Sequence, residues 1–177
     1  MGGWGNGGAD AVFARGGNDI IRATLNDGND FYDGGDGNDT VDYSALTSGI
    51  NANLNFAFGG GLVTGSQSGT DALVSIENVV GTQAADTIRG NNAANRIEGG
   101  AGNDTLIGGA GADALTGGAG TDAASYANAA AAVTVSLTTP ANNTGDAAGD
   151  TYTTIENVMG SAFDDTLAGD AAGNVLT

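Results

Sequence analysis

Nine aspartates recur at one position of a glycine-rich frame. Asp104, Asp113 and Asp122 are each the sixth residue in the gapless run GGAGNDTLI, GGAGADALT, GGAGTDAAS (99–125). In the same phase, GTQAADTIR (81–89) and GNNAANRIE (90–98) place Asp86 and Asn95 there. GNGGADAVF, ARGGNDIIR, LNDGNDFYD and GGDGNDTVD supply Asp10, Asp19, Asp30 and Asp39. GSAFDDTLA and GDAAGNVLT, the last two nonapeptides, supply Asp165 and Asn174. A short carboxylate in a polar turn does one of two things: it hydrogen-bonds its own backbone, or it gives oxygen to a hard cation. Repetition in a single phase favours the cation.

The frame says what must position these groups. The first six residues of each motif are glycine-rich and polar, permitting positive φ and close backbone approach. The last three read x-U-x, with U a large apolar residue, which is a three-residue strand with one inward side chain. One motif is half a coil and two complete a flattened turn. Val12, Ile21, Tyr32, Val41, Ile88, Ile97, Leu106 and Leu115 then stack as a core one residue deep, with Ala124 a small member of the same column. The expected fold is all-β, a right-handed parallel β-roll (β-solenoid).

Because successive motifs turn at opposite edges, motif i stacks on motif i+2. The predicted facing pairs are Asp86 with Asp104, Asp104 with Asp122, Asn95 with Asp113, Asp10 with Asp30, and Asp19 with Asp39. An insertion, Ala23–Thr24, must be absorbed by its turn for Asp10 to meet Asp30. Paired carboxylates with the backbone carbonyls of Gly7, Gly16, Gly35, Gly37, Gly100, Gly102, Gly109, Gly111, Gly118 and Gly120 offer the six to eight oxygens that calcium takes; magnesium demands fewer ligands and stricter geometry. Asp27, Asp33 and Asp36 are either further ligands or solvated turn residues.

Composition agrees. The 177 residues hold 21 acids against four bases, a formal net charge of -17 that resists compaction until it is neutralised. On the order of five to eight calcium ions would offset much of it, coupling folding to binding. Without them the chain is expected to be expanded and disordered. Nucleic acid and anionic membrane surfaces are poor partners for such a chain. Cysteine and histidine are both absent, which removes disulfides, soft-metal sites and the usual general base. Arg15, Arg22, Arg89 and Arg96 are the only bases, and coils of this size are too narrow for a lyase cleft, so no enzymatic activity is expected. No segment is apolar enough to span a membrane, and MGGWGNGG does not look like a secretion signal.

Two longer segments interrupt the motifs and resemble each other. Tyr43 and Tyr126 each follow a motif; alternating INANLNF (50–56) and VTVSLTT (133–139) come next, then SIENVVG (75–81) and TIENVMG (154–160). The organisation is therefore a repeat block at 1–42, a connector at 43–80, a second block at 81–125, a duplicated connector at 126–159 and a degenerate block at 160–177. Glu77 and Glu156, one in each connector, are read as turn residues rather than ligands.

The nonapeptides at 99–125, with looser copies at 5–42, 81–98 and 160–177, resemble the RTX or hemolysin-type calcium-binding repeat. The resemblance implies a β-roll that leaves the cell by type I secretion and folds outside in calcium. It implies a secreted, extracellular location, with cell-surface display in a surface-layer or adhesin component. Implied partners are calcium, further copies in end-to-end or lattice assembly, and cell-surface polysaccharide. The alternatives are a folding and secretion appendage of an exoenzyme (protease, lipase or epimerase) and, more remotely, an ice-binding roll displaying Thr40, Thr87, Thr105 and Thr166.

Overall fold

The computed structural model describes residues 8–26, 28–55 and 60–177. In the first repeat block each x-U-x triplet is a strand with its middle residue inward: β1 (Ala11–Phe13), β2 (Ile20–Arg22), β3 (Phe31–Asp33) and β4 (Thr40–Asp42). The pairing is parallel and skips one motif, β1 with β3 and β2 with β4, in the registers Val12 to Tyr32 and Ile21 to Val41. The two-residue insertion thus lengthens the first coil to twenty residues without shifting any side chain to the wrong face.

The first connector does not interrupt the stack. Its strands β5 (Ile50–Asn53), β6 (Gly61–Gly65) and β7 (Gly69–Val74) form an antiparallel meander, whose outer members pair in parallel with the coils on either side. Strand β7 continues β3, and β5 accepts β9 (Thr87–Arg89). On the opposite side β8 (Asn78–Val80) sits between β4 and β10 (Arg96–Ala101), with Val79 against both Val41 and Ile97. Coils then continue through β11 (Thr105–Ile107), β12 (Ala114–Ala119) and β13 (Ala123–Ser125) at a register of eighteen.

In the second connector β14 (Thr134–Ser136) pairs with β17 (Thr166–Ala168), while β15 (Thr151–Thr153) continues β12 and β16 (Asn157–Met159) continues β13. The result is a nine-stranded sheet facing a six-stranded sheet, with a two-stranded sheet beside them. The duplicated copies exchange sides: β4, β7 and β8 lie in the six-, nine- and six-stranded sheets, and their counterparts β13, β15 and β16 in the nine-, six- and nine-stranded ones. A duplication unit with an odd number of half-coils has this effect.

The core is the expected single column per sheet. Tyr32, Val41, Val79, Ile88, Ile97, Leu106, Leu115 and Ala124 are all essentially inaccessible, and Val12, at the first coil, is partly buried. With side chains only one layer deep, each U residue is held by the coils above and below it, so coil stacking rather than a thick core carries the stability. No helix of the described residues is long and apolar enough to cross a membrane.

Candidate metal centre

The position-six residue immediately precedes each strand, and strand register stacks these residues into two ladders. Along one edge run Asp10, Asp30 and Asp71, then, beyond the β5–β6 meander, Asp86, Asp104, Asp122 and Glu156. Along the other run Asp19, Asp39, Glu77, Asn95, Asp113 and Asp150. The link is nearly uniform: a carboxylate oxygen accepts the backbone N–H of its counterpart one coil earlier. Asp10 donates to Asp30 at 2.8 Å, Asp19 to Asp39 at 2.8 Å, Asp86 to Asp104 at 2.8 Å, Asp104 to Asp122 at 2.8 Å, and Asn95 to Asp113 at 2.8 Å. All five sequence-predicted pairs are adjacent.

Four ladder members come from the connectors. Asp71 accepts from Asp30 at 3.0 Å and Asp150 from Asp113 at 2.9 Å. Glu77 and Glu156 accept from Asp39 and Asp122, each through Oε2 at 2.8 Å. These glutamates keep the structural turn role expected of them and in addition tie one coil to the next. The physical reason is the turn length: Ser75–Ile76–Glu77 and Thr154–Ile155–Glu156 join their strands with three residues where a motif uses six. Ser75 and Thr154 reverse the chain at φ 50° and 48°, and Ile76 and Ile155 plug the interior. The longer glutamate side chain restores the reach that the shorter turn loses.

In five of the position-six carboxylates among the described residues one oxygen is left over. Oδ2 of Asp19, Asp39, Asp104, Asp113 and Asp122 is buried with no hydrogen-bond partner. A buried anion without a partner is strongly unfavourable unless it is neutralised. Burial, with Asp150 nearby, raises Asp113 to about 7; burial, with Asp86 and Asp122 on either side, raises Asp104 to about 6. Asp86 and Asp122 are raised as well, chiefly by burial. Other members are already satisfied. Tyr32 donates its hydroxyl to Oδ2 of Asp30 at 2.8 Å and Tyr43 to Oδ2 of Asp71 at 2.9 Å.

Two predicted ligands lie apart from the carboxylate pairs. Asp165 accepts from the backbone of Val133 at 2.8 Å and from Ser161, bonds that hold its carboxyl below the usual range. Asn174 donates from Nδ2 to the Glu156 carbonyl at 2.7 Å.

The glycines supply the wall. Gly35, Gly37, Gly100, Gly102, Gly109, Gly111, Gly118 and Gly120 all have left-handed φ. A Cβ on Gly35 would overlap the Arg15 carbonyl, and one on Gly120 the Gly102 carbonyl. Coils therefore approach through bare backbone, with carbonyl oxygens beside the unpaired carboxylates. Gly16 forms a parallel bridge with Asp36; Gly7, like Asp27, lies outside the described residues. Among the described residues no three carboxylates converge on one point, so any cation must draw on these carbonyls. Anionic and carbonyl oxygen without nitrogen or sulfur suits calcium, which the open pairs Asp19/Asp39 and Asp104/Asp122, and Asp113, would hold with the adjacent turn carbonyls. Bound there, calcium supplies the positive charge that the buried carboxylates lack.

Asp71 and Asp150, one in each connector, were missed because their glycine turns, around Gly69 and Gly149, lack the GGxG spacing of the regular motifs. Their signal was the 79-residue spacing they share with Ile76 and Ile155 and with Asp86 and Asp165. No curated protein matches the chain. The RTX calcium-binding nonapeptide repeat matches in four copies, at residues 4–41, 75–106, 90–123 and 150–177. These spans cover well over half of the chain, including both glutamate turns, and the chain belongs to the RTX calcium-binding repeat family.

Proposed function

We propose that this chain is a non-catalytic structural segment of a secreted or cell-surface protein, whose regular coils fold when calcium enters them outside the cell. The observation that carries the reading is the row of five buried carboxylate oxygens without partners among the described residues of a chain of net charge -17. Low calcium inside a cell leaves those anions uncompensated and favours an open chain fit for type I export. Millimolar calcium outside neutralises them, and binding free energy becomes folding free energy. End-to-end stacking is supported by the apolar residues on the outermost coils, Phe13, Ile20 and Leu25 at one end and Met159, Phe163 and Val175 at the other, all exposed.

A calcium titration of metal-free protein, followed by circular dichroism and light scattering, tests both parts. The β-signal is expected to grow with calcium and to return to its starting level with chelator. A signal indifferent to calcium would overturn the folding claim, and a strictly monomeric calcium form would overturn assembly.

A further inference from the structure

The turns come in two conformations. In the six turns containing Arg15 and Gly17, Asn26 and Gly28, Gly35 and Gly37, and the pairs at 100/102, 109/111 and 118/120, the second and fourth residues both have positive φ. No residue of the turns 81–86, 90–95, 160–165 and 169–174 does. Each of those four carries a polar side chain at position two: Thr82, Asn91, Ser161 or Asp170.

That side chain closes the turn on itself. Thr82 donates its backbone N–H to Asp86 at 2.6 Å and its hydroxyl to the same carboxylate at 3.0 Å, and it accepts the N–H of Ala84 at 3.1 Å. Asn91 donates its N–H to Asn95 Oδ1 at 2.8 Å and accepts from Ala93 at 2.8 Å. Ser161 and Asp170 repeat the arrangement with Asp165 and Asn174. The amide of Asn95 then donates to the Glu77 carbonyl at 2.8 Å, placing an N–H between adjacent coils. Asn174 does the same to Glu156.

The connectors contain a second lock. Tyr43 covers Oδ2 of Asp71, and Tyr126 covers Oδ2 of Asp150 at 2.6 Å. Every buried carboxylate oxygen left without a hydrogen-bond partner among the described residues therefore belongs to 8–42 or 99–125, and none to 43–98 or 126–177. The change of turn type falls at Gly99, inside an unbroken run of nonapeptides.

We propose that the closed turns and the tyrosine locks stand in for calcium, so that 43–98 and 126–177 keep their fold without the ion. They then serve as templates on which 8–42 and 99–125 stack when calcium fills the open turns. The strand edges β9 and β10 receive β11 and β12 in this scheme. The inference deepens the calcium-coupled reading and rests on it for the open segments only.

Hydrogen exchange of the full chain, read by mass spectrometry with calcium and with chelator, tests it. In chelator, peptides from 43–98 and 126–177 are expected to exchange at least about tenfold more slowly than those from 8–42 and 99–125; calcium slows all four. Uniformly fast exchange in chelator overturns this inference and leaves calcium-coupled folding standing, whereas uniformly slow exchange sinks both. The double variant Thr82→Ala, Asn91→Ala is expected to expose 81–98 in chelator and leave it protected in calcium. Unchanged protection in chelator, or loss in both conditions, overturns the claim that these side chains replace the ion.

Discussion

The Tyr126 hydroxyl donates to Asp150 at 2.6 Å, and Asp150 in turn accepts the backbone N–H of Asp113. The phenol thus holds a carboxylate that holds the next coil. Burial, with Tyr152 and Asp150 beside it, pushes the Tyr126 hydroxyl far above its ordinary range, so it remains a donor at any working pH. Tyr126→Phe leaves a fully buried carboxylate oxygen unpaired and is expected to cost about 1–3 kcal/mol in calcium-saturated protein. Tyr43→Phe is expected to behave alike, and urea denaturation reads both. A cost below experimental error would show the pair to be incidental.

Acid and calcium should act on the same groups. Asp104 and Asp113 rise in the metal-free fold to about 6 and about 7 from an ordinary 3.8. The folded state therefore binds more protons than the unfolded one between these values. The stabilising contribution is complete below pH 3.8 and lost as pH climbs through 6 and then 7. Dialysed, metal-free protein is expected to gain β-signal from pH 8 down to pH 5, roughly the window of the two raised values, while its calcium midpoint rises. Loss of signal on mild acidification would contradict this.

Glu156→Asp shortens a side chain that spans a three-residue turn to reach the N–H of Asp122. The orphaned donor sits beside a carboxylate with an unpaired oxygen, and the expected outcome is a loss of about 1–3 kcal/mol with a weaker calcium response. Calorimetry of the variant in saturating calcium measures it. Glu77→Asp provides an independent copy of the experiment in the first unit.

Two glycine substitutions should part company. Gly120→Ala drives a methyl into the Gly102 carbonyl at φ 150° and is expected to prevent the neighbouring coils from closing. Gly173→Ala meets nothing within 4 Å and has no left-handed φ, so it should be neutral or stabilise by about 0.4–1 kcal/mol. Thermal melts in calcium discriminate the two, and equal effects would undermine the close-approach argument.

The repeat made the regular coils readable. A carboxylate at position six, an apolar residue at position eight and glycine between them encode register directly, which is why Asp104 and Asp122 meet as their spacing predicts. The connectors resisted because their copies of the frame are degenerate: SQSGTDALV (66–74) and GDAAGDTYT (145–153) keep an aspartate at position six and a large residue at position eight without the run of glycines. Asp71 follows Gly69–Thr70 in an antiparallel meander, and Val79 enters the core column from a three-residue turn. Both continue the stack only because a partner coil fixes their register. The closed turns were legible in principle: a short polar side chain at position two with no glycine at position four marks each of them, but its meaning needs the backbone conformation.

The exchange of sheets between the duplicated copies has a geometric result. A unit that ends half a coil out of step with its beginning sets its side-branch on the opposite flank from the previous one, as leaves alternate on a stem. Any extension of the chain by further whole units would decorate both flanks evenly, balancing lateral bulk about the axis and leaving neither broad surface bare along its length.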